Sequence, residues 1–238
     1  MAEVFFVGAG PGDPDLITVK GMDLVKRAKV LVYTGSLVNR ELVDRSEAPV
    51  KVDSHGKTLE EIVPLMTRYA REGALVVRLH TGDPSLYGAI IEQIDLLERA
   101  GVTCTVIPGV SSLFGAAAAL KAQLTQTGVS DTLIITRPAG ATLGEDQIPD
   151  LSSFKTTFVV FLGADKIREV IRKARFPAET PAAVVYHASW PDEIVLRGTV
   201  ATIATQAEEA GIRKSALLMV GDVFDPGRHG LTRSVLYK

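Results

Sequence analysis

Val4-Phe5-Phe6-Val7-Gly8-Ala9-Gly10-Pro11-Gly12-Asp13-Pro14 decides the fold: an apolar strand over residues 4–7 enters a glycine-rich turn, and an amphipathic helix over 16–27 follows. Strand, short loop and helix in that order are the unit from which helix-covered parallel sheets are built. Gly8 and Gly10 are two glycines of a dinucleotide fingerprint, but Asp13 stands where the third is required, and Pro11 and Pro14 stiffen a loop that should stay open. Asp13-Pro14 reads instead as an N-cap and first helical residue, since proline there gives up only an N–H that has no helical partner. From this stretch alone, a plain tight turn and a ligand loop both stay open.

Working outward, the pattern continues with strands at 30–33, 75–79 and 103–107 and helices at 59–72, 87–100 and 111–120. After Ala122 a polar stretch, Gln123-Leu124-Thr125-Gln126-Thr127-Gly128, marks a change of texture, so the expected domains are residues 1–122 and 123–238. The second half reads as strands at 132–136, 157–162, 182–186, 194–198 and 216–220, with helices at 167–174 and 200–210 and a surface loop at 138–149. The fold class is α/β throughout.

Composition narrows the class of partner. The 26 basic and 28 acidic residues of this 238-residue chain leave a net charge of −2, so no global field draws in nucleic acid or an anionic membrane. A small molecule is the expected partner. The single Cys104 lies in an apolar run and can form neither an internal disulfide nor a thiolate metal cluster. The start of the chain has no basic leader, and no apolar run approaches the roughly 20 residues that span a bilayer, so a cytoplasmic protein is expected.

Two further turns repeat the logic of the first. Thr81-Gly82-Asp83-Pro84-Ser85-Leu86-Tyr87-Gly88 follows a strand and shares its Gly-Asp-Pro grammar, and Pro108-Gly109-Val110-Ser111-Ser112 again joins strand to helix. The ends of neighbouring parallel strands form the crevice where open α/β sheets bind ligands, and glycines let a ligand approach main-chain N–H groups. Asp83 is suited both to capping its helix and to facing a cationic ligand. His80 and His187 have no second ligand at metal spacing, so core or cap roles are expected and no metal site is read.

In this order the three turns, with Leu16-Thr18-Lys20-Gly21, resemble the tetrapyrrole (corrin/porphyrin) methylases over nearly the whole chain. Within that family, Tyr33-Thr34-Gly35-Ser36-Leu37-Val38, the run 77–90, Thr136-Arg137 and Ala188-Ser189-Trp190-Pro191-Asp192-Glu193 look most like the methylases that act at C-11 of precorrin-4 or cobalt-precorrin-4, the run 77–90 looking closer to the cobalt branch. The resemblance implies two α/β domains with S-adenosylmethionine between them, usually a homodimer, and methyl transfer to a macrocycle carbon with S-adenosylhomocysteine as product. Carried over by position, the cofactor contacts are Pro11, Thr81, Gly82, Asp83, Leu86, Ser111 and Ser112, then Leu162, Ala188, Ala216 and Leu217 in the second domain. Gly10 and Gly12, with the rest of the first turn, would form the wall towards the macrocycle. Asp13 is the candidate carboxylate for stabilising positive charge that develops on the ring system.

A tetrapyrrole's acetate and propionate groups call for positive side chains, and Arg40, His55, Lys57 and Arg137 are the candidates, each equally readable as a solvated surface group. Trp190 is suited either to flank the adenine or macrocycle or to fill a seam. Uroporphyrinogen-methylating relatives place an Asp and a Lys where Thr34 and Ser54 stand, so that acid-base pair is not expected here. The rival readings are a methylase of another ring position, a nucleotide-binding oxidoreductase, and a noncatalytic ligand-binding module.

Overall fold

Strands and helices alternate as the apolar periodicity predicts. The computed structural model describes residues 2–140 and 143–225. Its first half runs β1 (Glu3–Gly8), α1 (Val19–Arg27), β2 (Val30–Tyr33), α2 (Arg40–Asp44), β3 (Val50–Asp53), α3 (Leu59–Arg71), β4 (Val76–His80), α4 (Ile91–Arg99), β5 (Thr103–Ile107) and α5 (Ser112–Leu120). The five strands form an all-parallel sheet in the order β3-β2-β4-β1-β5. Helices cover both faces, so β2 and β4 are buried along their whole length; β2 is a continuous apolar run, whereas β4 interrupts its apolar residues with Arg78 and His80. Leu24, Val25, Leu42 and Val43 pack with Leu31, Val77 and Leu79 on one face, and Ile62, Met66 and Leu97 with Phe6, Val32 and Val76 on the other. Because every strand is parallel, all five carboxyl ends lie along one edge of the sheet, and the three glycine turns follow three of them.

The second half runs β6 (Leu133–Thr136), α6 (Ile148–Leu151), β7 (Thr157–Val160), α7 (Ile167–Lys173), β8 (Pro181–Tyr186), β9 (Ile194–Thr199), α8 (Ile203–Glu209) and β10 (Ala216–Val220). Its mixed sheet has the order β6-β7-β10-β8-β9, with only β6 and β7 parallel. Phe158, Val184, Ile203 and Leu218 centre its core, and Phe158 meets the edge of Phe176 at 5.2 Å between ring centroids. The chain divides into two units, one ending at Phe114 and the other starting at Gly115, so the division falls within α5, whereas the change of composition comes after Ala122. Among the described residues no helix is long and apolar enough to cross a membrane.

Several expected boundaries move, each for a local reason. The helix expected from residue 16 begins at Val19, because Asp13 and Pro14 start only a 3-10 turn over Pro14–Leu16. The Asp13 carboxylate accepts from the Asp15 N–H at 2.9 Å, and Thr18 caps the helix proper by accepting from the Gly21 N–H at 3.1 Å. The helix expected from residue 87 begins at Ile91, because Tyr87 (φ 57°) and Ala89 (φ 48°) adopt left-handed backbone. The strand expected to reach residue 162 stops at Val160, ahead of a left-handed Leu162 (φ 53°). The short α2, α6 and edge strand β3 were not expected at all. β3 is four residues long and alternates with the polar Lys51 and Asp53, too brief to register as a period.

Candidate active site

The parallel sheet brings together three glycines that are far apart in sequence. The Ala9 N–H donates to the His80 carbonyl at 2.7 Å, the Gly10 N–H to the Gly82 carbonyl at 3.3 Å and the Gly82 N–H to the Gly10 carbonyl at 2.9 Å. The first and second turns are therefore joined as an antiparallel bridge. The third packs onto both: a Cβ on Gly109 would lie 2.2 Å from the Gly82 carbonyl oxygen, and one on Gly8 would lie 2.5 Å from the Gly109 Cα. Close backbone approach demands glycine at residues 8 and 109, whereas Gly10 (φ +84°) and Gly82 (φ +62°) are needed for left-handed backbone.

Asp83 locks this junction. One carboxylate oxygen accepts from the Ser85 N–H at 2.8 Å and from the Ser85 hydroxyl, and the other accepts from the Gly109 N–H at 2.9 Å. Partial burial pushes the Asp83 carboxyl up, but the hydrogen bonds from Ser85 and Gly109 outweigh it and leave it below the usual carboxylate range. Replacing Asp83 by Ala leaves the Gly109 N–H without its acceptor, so a loss of about 1–3 kcal/mol is expected in urea unfolding. Asn at the same position keeps an acceptor and should lose less.

Thr81, Gly82, Asp83, Ser111 and Ser112 come together at this edge: a Cβ on Gly82 would sit 3.6 Å from the Ser111 Cα and 3.7 Å from the Ser112 nitrogen. Ser111 caps α5, its hydroxyl accepting from the Leu113 N–H at 3.3 Å. Pro11 is buried beside them in the first turn, and the Leu86 N–H closes the second by donating to the Asp83 carbonyl at 3.2 Å. The Thr81 hydroxyl is buried with no hydrogen-bond partner among the described residues. An unpaired buried hydroxyl costs about 1–3 kcal/mol, and a polar ligand group at this edge would relieve it.

Next along the edge, the ends of β2 and β3 carry the expected cations. Arg40 donates through Nη1 to the Tyr33 hydroxyl at 3.1 Å, and exposed Lys57 follows the turn in which its N–H donates to the Ser54 carbonyl. One oxygen of Asp53 accepts from the Gly35 N–H at 3.0 Å and the His55 N–H at 2.8 Å, tying the two loops together. Asn39 caps α2 and donates through Nδ2 to the Gly12 carbonyl at 2.9 Å, which tethers the first turn to this group.

In the second unit, Leu162, Ala188 and Ala216 gather at one end of the mixed sheet. The antiparallel register pairs Leu218 with Val160 and Ala216 with Tyr186, and the His187 N–H donates to the Ser215 carbonyl at 3.0 Å. Leu217 is the next residue of β10. Leu162 (φ 53°), His187 (φ 46°), Ser189 (φ 68°) and Ser215 (φ 53°) are all left-handed there. Each such non-glycine residue costs about 1–3 kcal/mol, and strain of this kind concentrates at functional sites. His187 stacks on Tyr186 with centroids 3.9 Å apart, Trp190 stands 5.3 Å away, and the His187 Nδ1 lies 3.0 Å from the Asp192 carboxylate. Arg137, just past β6, lines a cavity of about 210 Å³ with Pro138, Leu162 and Lys166.

Residues 3–204 match the sequence profile of the Tetrapyrrole (Corrin/Porphyrin) Methylases. The chain belongs to this family. The cobalt-precorrin-4 C(11)-methyltransferase of Methanocaldococcus jannaschii is 47% identical over 230 residues, which is 94% of this chain and 89% of that protein. A solved cobalt precorrin-4 methyltransferase, described as a cobalamin biosynthetic enzyme, matches with a TM-score of 0.91 at 42% identity, covering 94% of this chain and 97% of that one. The uroporphyrin-III C-methyl transferase of Thermus thermophilus, solved with S-adenosyl homocysteine, matches with a TM-score of 0.77 at 33% identity, covering 93% and 98%.

In this tetrapyrrole methylase the candidate residues of the first unit share a single sheet edge, while Leu162, Ala188, Ala216, Leu217 and Arg137 belong to the second unit. Asp13 caps the 3-10 turn within the first loop. His80 is a core residue, 4% exposed and stacked on Phe6, and Cys104 is half-buried with its thiol pushed up to about 11 by burial and by Glu98 and Glu3. Sequence reasoning passed over Asn39 and Asp53. Asn39 was findable as an N-cap immediately before α2, whereas Asp53 carries no local signal.

Proposed function

We propose that this methylase transfers a methyl group from S-adenosylmethionine to C-11 of cobalt-precorrin-4, giving cobalt-precorrin-5 in cobalamin biosynthesis. The observation that carries the reading is 47% identity, over 94% of the chain, to a protein bearing that name. The edge around Gly82 suits the donor: its loops are bare of side chains where they meet, and the buried Thr81 hydroxyl has no partner among the described residues. Bound there, the donor would supply a methyl group on a sulfonium that is already a good leaving group, so the protein's task is mainly alignment and exclusion of water.

On this reading Thr81, Gly82, Asp83, Leu86, Ser111, Ser112 and Pro11 hold the donor in the first unit, and Leu162, Ala188, Ala216 and Leu217 are its contacts in the second. Gly10 and Gly12 border the macrocycle. Arg40, His55, Lys57 and Arg137 bind its carboxylates, and the Asp13 carboxylate faces positive charge on the ring. The working form is a cytoplasmic homodimer.

The oxidoreductase alternative is disfavoured by the first turn. The Ala9 and Gly10 N–H groups, which a pyrophosphate would need, are already donated to the His80 and Gly82 carbonyls. Calorimetry should therefore show binding of S-adenosylhomocysteine and none of NAD, and the reverse pattern would sink the methylase assignment. Incubation with labelled donor and either cobalt-precorrin-4 or its metal-free counterpart, followed by NMR, should place the label on C-11 of the cobalt form. Label on another carbon would move the chain to a different step of the same chemistry.

A further inference from the structure

Beneath the second turn lies a buried polar relay that the proposed donor contacts do not use. Arg78 and His80 point to the same side of β4, into a layer otherwise built from Phe6, Val32, Val76, Met66 and Leu97. Arg78 is 5% exposed, and burial pulls its guanidinium down to about 10. An apolar residue of similar volume would be cheaper to bury, so the arginine calls for a reason. Its Nε donates to the Gln93 side-chain oxygen at 3.1 Å, and Gln93, also 5% exposed, donates through Nε2 to the Ala89 carbonyl at 3.0 Å.

Ala89 ends a turn that does not hold itself easily. Tyr87 and Ala89 are both left-handed, and a Cβ on Gly88 between them would lie 2.1 Å from the Pro84 carbonyl oxygen. Two left-handed non-glycine residues within three positions cost about 1–3 kcal/mol each and persist only when the surroundings over-determine them. Asp83 fastens the front of this loop through Ser85 and Gly109, and the Gln93 amide fastens its back. Leu86 lies between the two fastenings.

We propose that Arg78 and Gln93 are positioning residues for the methyl donor: together they anchor the left-handed turn at 87–89 and thereby hold the loop from Thr81 to Leu86 in its binding geometry. The proposal rests on the donor reading given above. Arg78 fixes which way the Gln93 amide points, and the amide holds the turn. Neither side chain touches the donor.

The double variant R78M/Q93L removes both polar groups together, so neither remains buried without its partner, and Ala89 is an exposed residue whose carbonyl is then left to water. The variant should fold with a melting point close to that of the parent. It should show faster amide exchange across residues 85–90, a Kd for S-adenosylhomocysteine raised at least fivefold, and a raised KM for the donor with an unchanged KM for the tetrapyrrole. Gln93→Glu keeps an acceptor for Arg78 but cannot donate to Ala89 when ionised, so it should show the same losses and carries the test if the double variant fails to fold. Unchanged exchange at 85–90 and a Kd within twofold of the parent, in whichever variant folds, would overturn the proposal. Failure of the parent itself to bind S-adenosylhomocysteine would instead overturn the donor reading, with the exchange measurement still deciding whether the relay holds the turn.

Discussion

Replacing Gly109 by Ala is expected to abolish binding of S-adenosylhomocysteine and to destabilise the protein. The added Cβ would lie 2.2 Å from the Gly82 carbonyl oxygen, 2.7 Å from the Gly8 Cα and 2.9 Å from the Gly8 carbonyl carbon. All three atoms are backbone, so no side chain can swing aside and the turns themselves must part. Overpacking costs about 1–3 kcal/mol and occasionally more, and a clash with two other chain segments belongs at the upper end. For a protein of this size that corresponds to a fall in melting point of about 6–12 °C. A methyl group added at Gly144 would meet nothing within 4 Å, and the backbone there has an ordinary φ, so Gly144→Ala should stay within about 0.5 kcal/mol of the parent. Calorimetric titration and thermal unfolding of the two variants side by side make the comparison, and a Gly109→Ala protein that binds like the parent would show that the turns do not need their contact. Gly82→Val should also block binding, for a different reason. A Cβ there meets only ordinary contacts, the nearest at 3.6 Å, so the penalty comes from forcing a β-branched residue to φ +62°.

Acid should destabilise this methylase well above the range where carboxylates titrate, and His80 is the cause. Burial, with the nearby Arg78 charge, lowers its pKa from 6.5 to about 3. A histidine with a depressed folded pKa stays neutral in the native state while the unfolded chain takes up a proton, so acid favours unfolding. Its contribution is complete above about pH 6.5 and is lost progressively as pH falls towards 3. Between pH 8 and pH 5 the loss amounts to about 2 kcal/mol, from 1.36 kcal/mol per unit over the interval below the unfolded value. His80→Phe preserves the ring stacked on Phe6 and removes the titration, so its stability should be nearly flat over the same interval. Urea midpoints at pH 8, 6.5 and 5 for both proteins test this, and parallel slopes would assign the acid limb to other groups.

Much of the architecture was legible because it is written in neighbouring residues. The apolar residues of β1, β2, β4 and β5 and the Gly-Asp-Pro turns are local patterns, and the α/β alternation follows from them. Elements that fell short of a full period did not announce themselves: α2 has five residues and β3 four. Tyr87 and Ala89 look like the start of a helix and are not, because nothing in an ordinary tyrosine or alanine signals a left-handed backbone. The same silence covers Leu162, His187, Ser189 and Ser215, whose strain marks one end of the second sheet.

Gly8, Gly82 and Gly109 show where the division lies. By itself the sequence determined that three glycine turns follow three strands of a helix-covered sheet and that the chain resembles the tetrapyrrole methylases, since both depend on residue order. Only the tertiary structure decided that Gly8 and Gly109 have no room for a side chain against each other and the Gly82 carbonyl, that Asp83 acts as a tie between two of the turns, and that Arg78 and His80 lie buried in β4. Those constraints act between backbones brought side by side by parallel pairing, through contact distances and desolvation that no stretch of adjacent residues records.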